Sequence, residues 1–387
     1  MSWLLFVLGI ALFIFLIIIH EFGHFVVARR NGVKPEEFGI FFPPRLWAKR
    51  MPSDYDFSVN LLPLGGFVRL KGEHDADTGP GTYGAANLWV KLKILLAGVG
   101  MNVLAAFLIF TILAFIGLPQ IITKQTVGQN QFSVASDTKV VKNEVLAGYV
   151  EPGSPAQSVG IKNSDILVSI KSVNGKNIII YNSSTLPGVT KELAGQKVIV
   201  DIKRQGQIVQ LTTTLRSIQE VEQHNNSLAC TQNNNCFGYL GISPVDYTLT
   251  RSTWSAPVTG IGLIGQVTWL TLKGIGSALS GLFQGNTAKA TSQLTGPVGI
   301  VVILKEGTLL GYQFILFLVG LISISLAILN ALPIPALDGG RLFFSFLPRI
   351  LFRKPLKQRT EELIHGFGFA LLILLFVLIT IADVKRF

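Results

Sequence analysis

With 387 residues, 49% of them hydrophobic and only 14% charged, and a mean hydropathy of +0.50, the chain is too apolar for two or three soluble domains and reads as an integral membrane protein. A formal net charge of +11 would suit nucleic acid, but the basic residues gather beside the hydrophobic stretches. The lipid bilayer, and no nucleic acid, is therefore the expected partner.

The first element is an apolar helix over 1–26. Its run 3–19 lacks a basic leader and a small-residue cleavage site, so a retained span is expected rather than a signal peptide. At its inner end stand His20-Glu21-Phe22-Gly23-His24, an H-E-x-x-H pattern. Positions i and i+4 share a helix face, so both imidazoles can reach one Zn²⁺ while Glu21 addresses a bound water. Ionisable side chains at this depth cost about 2.5–3.5 kcal/mol each on insertion scales, and three so close together need a shared reason. The bland alternative is a polar cluster capping the helix where it leaves the bilayer.

Segment 27–93 is basic (Arg29, Arg30, Lys34, Arg45, Lys49, Arg50, Arg69, Lys71, Lys91, Lys93) and is expected to be a cytoplasmic loop. Within it, 56–71 carries two strand-like runs on either side of Pro63-Leu64-Gly65-Gly66, the pattern of a hairpin. Its apolar tip suits a re-entrant element, which membrane depth tolerates only where protein or water satisfies the backbone.

A second span follows over 94–118. Segment 119–248 turns polar and rich in Val, Ile, Thr, Asn and Gly, with alternating runs such as Val198-Ile199-Val200-Asp201-Ile202-Lys203, and is expected to be a small, mostly β, exterior domain. Cys230 and Cys236 lie there, where a disulfide and two free thiols are both open. Residues 249–312 form an amphipathic helical region. Gln266, Lys273 and a series of glycines favour a helix lying on the outer surface over a fifth span. A third span over 313–336, a basic loop over 337–361 and a fourth span over 362–383 complete the chain. Placing both basic loops inside puts the N-terminus, the long middle segment and the C-terminus outside, in agreement with four crossings.

Catalytic zinc generally takes three protein ligands and leaves a fourth position for water. The metzincin continuation H-x-x-G-x-x-H is absent, since His24 is followed by Phe25-Val26-Val27-Ala28-Arg29-Arg30. Glu36, Glu37 and His74 are conceivable third ligands within the basic loop. Asp338 is better placed, in Asn330-Ala331-Leu332-Pro333-Ile334-Pro335-Ala336-Leu337-Asp338-Gly339-Gly340-Arg341, where prolines break the helix and paired glycines allow close backbone approach. The first and third spans are separated by two crossings and end at the same leaflet, within reach of each other. A fifth span would send Asp338 to the far side.

On these motifs the chain resembles the site-2 protease family of intramembrane metalloproteases, in its bacterial RseP-like branch. The likeness covers nearly the whole chain: the His20 to His24 helix, the Asn330 to Gly339 run, Pro63-Leu64-Gly65-Gly66-Phe67-Val68, Ala97-Gly98-Val99-Gly100-Met101-Asn102 and Gly296-Pro297-Val298-Gly299. It implies His20, His24 and Asp338 as zinc ligands, Glu21 as the catalytic carboxylate, and Gly65, Gly66 and Phe67 within an edge that pairs with an unwound substrate strand. Asn330 and Asn102 are candidates for a further donor to the transition-state oxyanion, with ordinary interhelical hydrogen bonding as the competing role. His365 supports the site from behind or simply packs.

Residues Gly148 to Lys162, followed by Asp165-Ile166-Leu167-Val168-Ser169-Ile170, resemble a PDZ domain, with Ser164 where the bacterial pattern more often has Gly. A single such domain is expected, binding a peptide ligand or excluding bulky substrates. The implied fold is a polytopic α-helical membrane protein with four transmembrane helices, a membrane-associated β-hairpin and an inserted, mostly β, PDZ-like extracytoplasmic domain. The implied activity is intramembrane zinc-dependent proteolysis, in the inner membrane, of single-span membrane proteins such as anti-sigma factors or remnant signal peptides. A scaffold with a structural metal is disfavoured because no Cys lies near the membrane motifs to close the site. A metal transporter would leave Glu21, the Gly-Gly element and the PDZ-like domain without a task.

Overall fold

The computed structural model describes residues 2–74, 77–123, 127–173, 175, 177–204, 206–226, 236–286, 296–352 and 356–386. Two compact units divide the chain: one takes Met1–Phe115, Phe132–Val134 and Trp254–Phe387, the other Ile116–Gln131 and Ala135–Thr253. The first unit begins with helix α1 (Ser2–Arg30), strands β1 (Pro35–Arg50) and β2 (Asp56–Leu70), and helix α2 (Leu88–Ile116). The second consists of β3 (Leu118–Pro119), β4 (Lys139–Val150), α3 (Pro155–Ser158), β5 (Ile166–Ser172), β6 (Asn177–Ile179), α4 (Thr185–Glu192), β7 (Lys197–Arg204), β8 (Gln207–Thr214), α5 (Ile218–Asn225) and β9 (Ile242–Arg251). The chain returns to the first unit with α6 (Ala256–Phe283), α7 (Pro297–Gly307), α8 (Tyr312–Ala331), α9 (Asp338–Phe352) and α10 (Gln358–Arg386).

Among the described residues, α1, α2, α8 and α10 are long and apolar enough to cross a membrane; α6 is not among them. Lipid tails are as apolar as leucine, so such helices associate through close packing of small residues and through interhelical hydrogen bonds. Both devices are present. Leu16 of α1, Ala105 of α2 and Val319 of α8 form a buried cluster with Leu12, Ile109, Ile322 and Leu326 around it. Gly320 lets α8 approach the ring of Phe110, and Ser323 donates to the carbonyl of Asn102 at 2.7 Å. At Gly23, a Cβ would lie 2.6 Å from the Ala97 carbonyl oxygen, so α1 and α2 touch backbone to backbone.

The stretch 56–71 does not close on itself as the expected hairpin. Its partner is β1, a strand that the prolines at Pro43-Pro44 hide from an alternation reading. The second half of β1 pairs with the first part of β2 (Arg45 opposite Asn60, Arg50 opposite Asp56), while its first half lies beside β2 twice, Gly39 facing both Phe67 and Ser58. The two strand-like runs therefore flank Pro35 to Ile40 instead of each other, with β2 reversing between Val59 and Gly66, both of which pair with Ile40.

The helix boundaries also differ from the expected spans. Because proline has no N–H and clashes with the preceding turn, α8 ends at Ala331, ahead of Pro333 and Pro335, and not at 336. The segment 337–361, expected as a loop, contains α9, whose Leu342, Phe343, Phe346, Leu347 and Ile350 recur at helical spacing. Helices α1 and α2 run on through Arg29-Arg30 and back to Leu88, beyond their apolar runs.

The second unit is a seven-stranded sheet in the order β3-β9-β4-β5-β7-β8, with β6 on β5. Its core gathers Val145, Leu167, Ile170, Val198, Val200 and Ile202 from one face of the sheet, with Leu186 and Leu193 from α4 and the turn after it. Burial disfavours the charge of Asp201, but bonds from Lys171, Ser169 and Gln210 outweigh it and hold the carboxyl below its ordinary pKa. Cys236 is disulfide-bonded, and Cys230, the other cysteine of the chain, lies outside the described residues.

Candidate metal centre

One turn of α1 separates His20 from His24, and both imidazoles are buried on the face turned toward α2. Asp338, the first residue of α9, arrives from the break after α8. His20 Nε2 lies 3.0 Å from Asp338 Oδ2, His24 Nε2 lies 3.2 Å from the same oxygen, and the two Nε2 atoms are 3.2 Å apart. Zinc–nitrogen bonds of about 2.0–2.1 Å place tetrahedral ligand atoms about 3.3 Å from each other. The three atoms have that spacing. They form the one group of its kind among the described residues, a set of three or more His, Cys, Asp or Glu side chains able to share a metal ion.

The far nitrogens of both rings are committed elsewhere, which frees the near ones. His24 Nδ1 donates to the Ile94 carbonyl at 2.7 Å, leaving a bare lone pair on Nε2. His20 Nδ1 lies 3.3 Å from the Asn102 amide, whose buried Oδ1 has no partner among the described residues. With that amide turned so that Oδ1 faces the ring, His20 donates from Nδ1 and presents Nε2 to the metal. Two neutral imidazoles and one anionic oxygen converging on a point suit Zn²⁺.

Glycines make this convergence sterically feasible. A Cβ at Gly98 would overlap His24 Nε2 and lie 2.7 Å from His20 Nε2. Gly98→Ala is therefore expected to push the imidazoles apart and lower zinc content well below one per chain, while α2 remains folded; metal analysis of the purified variant checks this. Gly339 and Gly340 sit against the carbonyls of Ala331, Leu332 and Ile334, so the turn into α9 folds back on the end of α8. That turn contains Ala336 at φ +76°, a left-handed conformation costly for a residue with a Cβ. His365 Nδ1 accepts the Ala336 N–H at 3.0 Å, and Gly368 packs on Pro335, so α10 braces the turn from behind.

Glu21 stands between the two histidines in sequence, and its carboxylate has no hydrogen-bond partner among the described residues. Gly66 of β2 passes beside it, where an added Cβ would lie 3.2 Å from Glu21 Cγ. Of Gly65, Gly66 and Phe67, Gly66 thus borders the site, while Gly65 faces Phe42 and Phe67 packs on Gly39; the two asparagines part company. Asn102 supports His20, and Asn330 turns back to donate to Leu326 of its own helix at 3.1 Å. The alternative third ligands are engaged elsewhere: Glu37 with Arg45 and Arg69, Glu36 with Arg69, and His74 with Glu362. For Asn102 the structure shows the competing role, an interhelical hydrogen bond; that its partner is His20, and that Gly98 opens the space for both imidazoles, went unread in the sequence, although both residues lie in the Ala97 to Asn102 motif.

The model of peptidase family M50 matches residues 8–375. The chain is 26% identical over 458 aligned residues to the zinc metalloprotease RasP of Shouchella clausii, covering 97% of this chain and 98% of that one. It is 26% identical to the protease RseP of Yersinia pestis, with 96% of each chain covered. A Campylobacter jejuni protein carrying a zinc metalloprotease name is 29% identical over 383 residues, covering 96% of this chain and 91% of the relative.

Proposed function

The chain belongs to peptidase family M50 and is a zinc metalloprotease of the site-2 type; from this premise we propose that it hydrolyses peptide bonds in or near the transmembrane segments of single-span membrane proteins. The observation that carries the reading is the meeting of His20 Nε2 and His24 Nε2, on a helix apolar enough to span a bilayer, with Asp338 Oδ2 from the turn that follows a second such helix, Glu21 standing at their side. His20, His24 and Asp338 would hold the zinc, and Asn102 and the Ile94 carbonyl fix the ring orientations.

Bound zinc supplies Lewis acidity, acidifying a water and polarising the scissile carbonyl. Glu21 takes the water's proton as general base and returns it to the leaving amide nitrogen. The Gly65 to Phe67 stretch, in which Gly66 borders Glu21, offers backbone groups to an extended substrate strand, so that a helical substrate is held unwound at the point of attack. Asn330 has no part in this reading.

Basic residues in 27–93 and in the segment after α8 support a cytoplasmic position for the metal centre and an exterior one for the second unit. That unit we read as a single PDZ-like domain able to add a peptide to its sheet edge, in a multi-pass protein of the inner membrane. Anti-sigma factors and remnant signal peptides fit as substrates. The test is cleavage, by detergent-purified protein, of a single-span substrate trimmed beforehand on its exterior side, with the cut mapped by mass. A cut within the span, made by wild type and not by Glu21→Gln, supports the reading. A cut only in soluble loops refutes it.

A further inference from the structure

We propose that Glu73 and Arg341 act as one positioning unit, fixing the spacing between strand β2 and the turn that carries Asp338. One carboxylate joins the two elements. Glu73 Oε1 accepts the Leu70 N–H at the end of β2 (2.7 Å), and Glu73 Oε2 accepts from Arg341 Nη2 (3.0 Å). Arg341 lies in the first turn of α9, three residues after Asp338, and its own N–H donates to the Leu337 carbonyl at 2.9 Å.

Glu73 is itself held in place by its surroundings. The Lys71 N–H donates to Lys34, the Tyr83 N–H to Lys71, and the Gly84 N–H to Gly72, which pins the loop on both sides of it. Four residues before Leu70, Gly66 passes Glu21. A continuous series of contacts therefore runs from Glu21, packed beside Gly66, along β2 to Leu70, and from there through the hydrogen bonds of Glu73 and Arg341 to the turn that carries Asp338. The groups at its ends are the proposed base and a proposed metal ligand, and the strand between them is the proposed substrate edge.

Both side chains are partly exposed, 27% for Glu73 and 40% for Arg341, so the pair adds little to global stability. Its consequence is geometric. A misplacement of about 1 Å between a bound substrate and the reacting groups costs on the order of 100-fold in rate. Arg341 offers a planar fork suited to a carboxylate, and lysine at this position could still donate one bond.

The inference stands on the proposed reading of the site, and the experiment separates the two. Full-length Glu73→Gln, Arg341→Gln, the double variant, Arg341→Lys and Glu21→Gln are compared in detergent on one single-span substrate, with zinc content and thermal unfolding measured for each. Each neutral single variant is expected to keep about one zinc per chain and to unfold like wild type, with kcat reduced about 10- to 100-fold and KM nearly unchanged. The double variant should lose no more than either single, because partners acting as a unit are not additive. Arg341→Lys should recover part of the rate. Wild-type turnover in the single variants, multiplying losses in the double, or activity lost in proportion to zinc or fold overturns the proposal. Full activity in Glu21→Gln would instead overturn the reading of the site.

Discussion

Glu21→Gln is expected to leave the zinc in place and to remove the activity. Gln matches Glu in shape, and Glu21 lies outside the set of atoms that converge on the metal position, so stoichiometric zinc is expected in the variant. A neutral amide cannot accept the water's proton, and general-base assistance is worth about 10²–10⁴ in rate. The loss should fall on kcat with KM nearly unchanged, the pattern of an interaction made only in the transition state. Zinc analysis and turnover on the same preparation check both halves. Loss of zinc together with activity would make Glu21 a ligand and would require a different base. The same experiment bears on β2, because Gly66 packs against Glu21 Cγ and Gln occupies the same volume. A change in KM would therefore mean that the Glu21 charge, and not its bulk, orders the strand.

The chemistry of the site was more legible in the sequence than the scaffold around it. His20, Glu21 and His24 could be read because helical periodicity alone puts positions 20 and 24 on one face. Asp338 followed from the parity of the crossings and from the prolines and glycines beside it. What escaped was set by contacts distant in sequence. Nothing local in Pro35 to Ile40 announces that it lies between two parts of β2, since sheet pairing is decided by packing partners and Pro43-Pro44 interrupts the alternation. The glycine pair at the start of α9 reads in the sequence as allowing close backbone approach, and it packs against the end of α8, but the helix that it opens reads there as a loop.

Helix rotation was the second hidden variable. Asn102 and Asn330 are equivalent as letters in apolar helices, yet one faces His20 and the other its own backbone. The same holds for Gly98 and Gly100, of which only the first touches the imidazoles. Motif spacing names the candidate groups, and the turn of each helix decides which of its polar and small residues lie beside them.

Asp338→Asn is expected to strip the metal and with it all turnover, while Glu36→Gln, at a rejected third-ligand position, changes neither. Asn preserves the shape of Asp338, but its amide is neutral and a weak ligand for Zn²⁺, so only two imidazoles remain. Altering a residue that merely supports a ligand typically costs about 10–100-fold in metal affinity. Removing the single anionic ligand should cost more than that, enough for zinc to be lost on dialysis against a weak chelator that leaves wild type loaded. The variant should still fold, because Asp338 is held by the turn around it: Gly339 and Gly340 against the α8 carbonyls and Ala336 on His365. Asn also keeps the capacity to bond His20, so the metal-free site is not left with an unpaired buried charge. Zinc retained in Asp338→Asn but lost in a His74 or Glu37 variant would move the third ligand into the basic loop. It would also break the link between the metal and the turn after α8 on which the assignment stands.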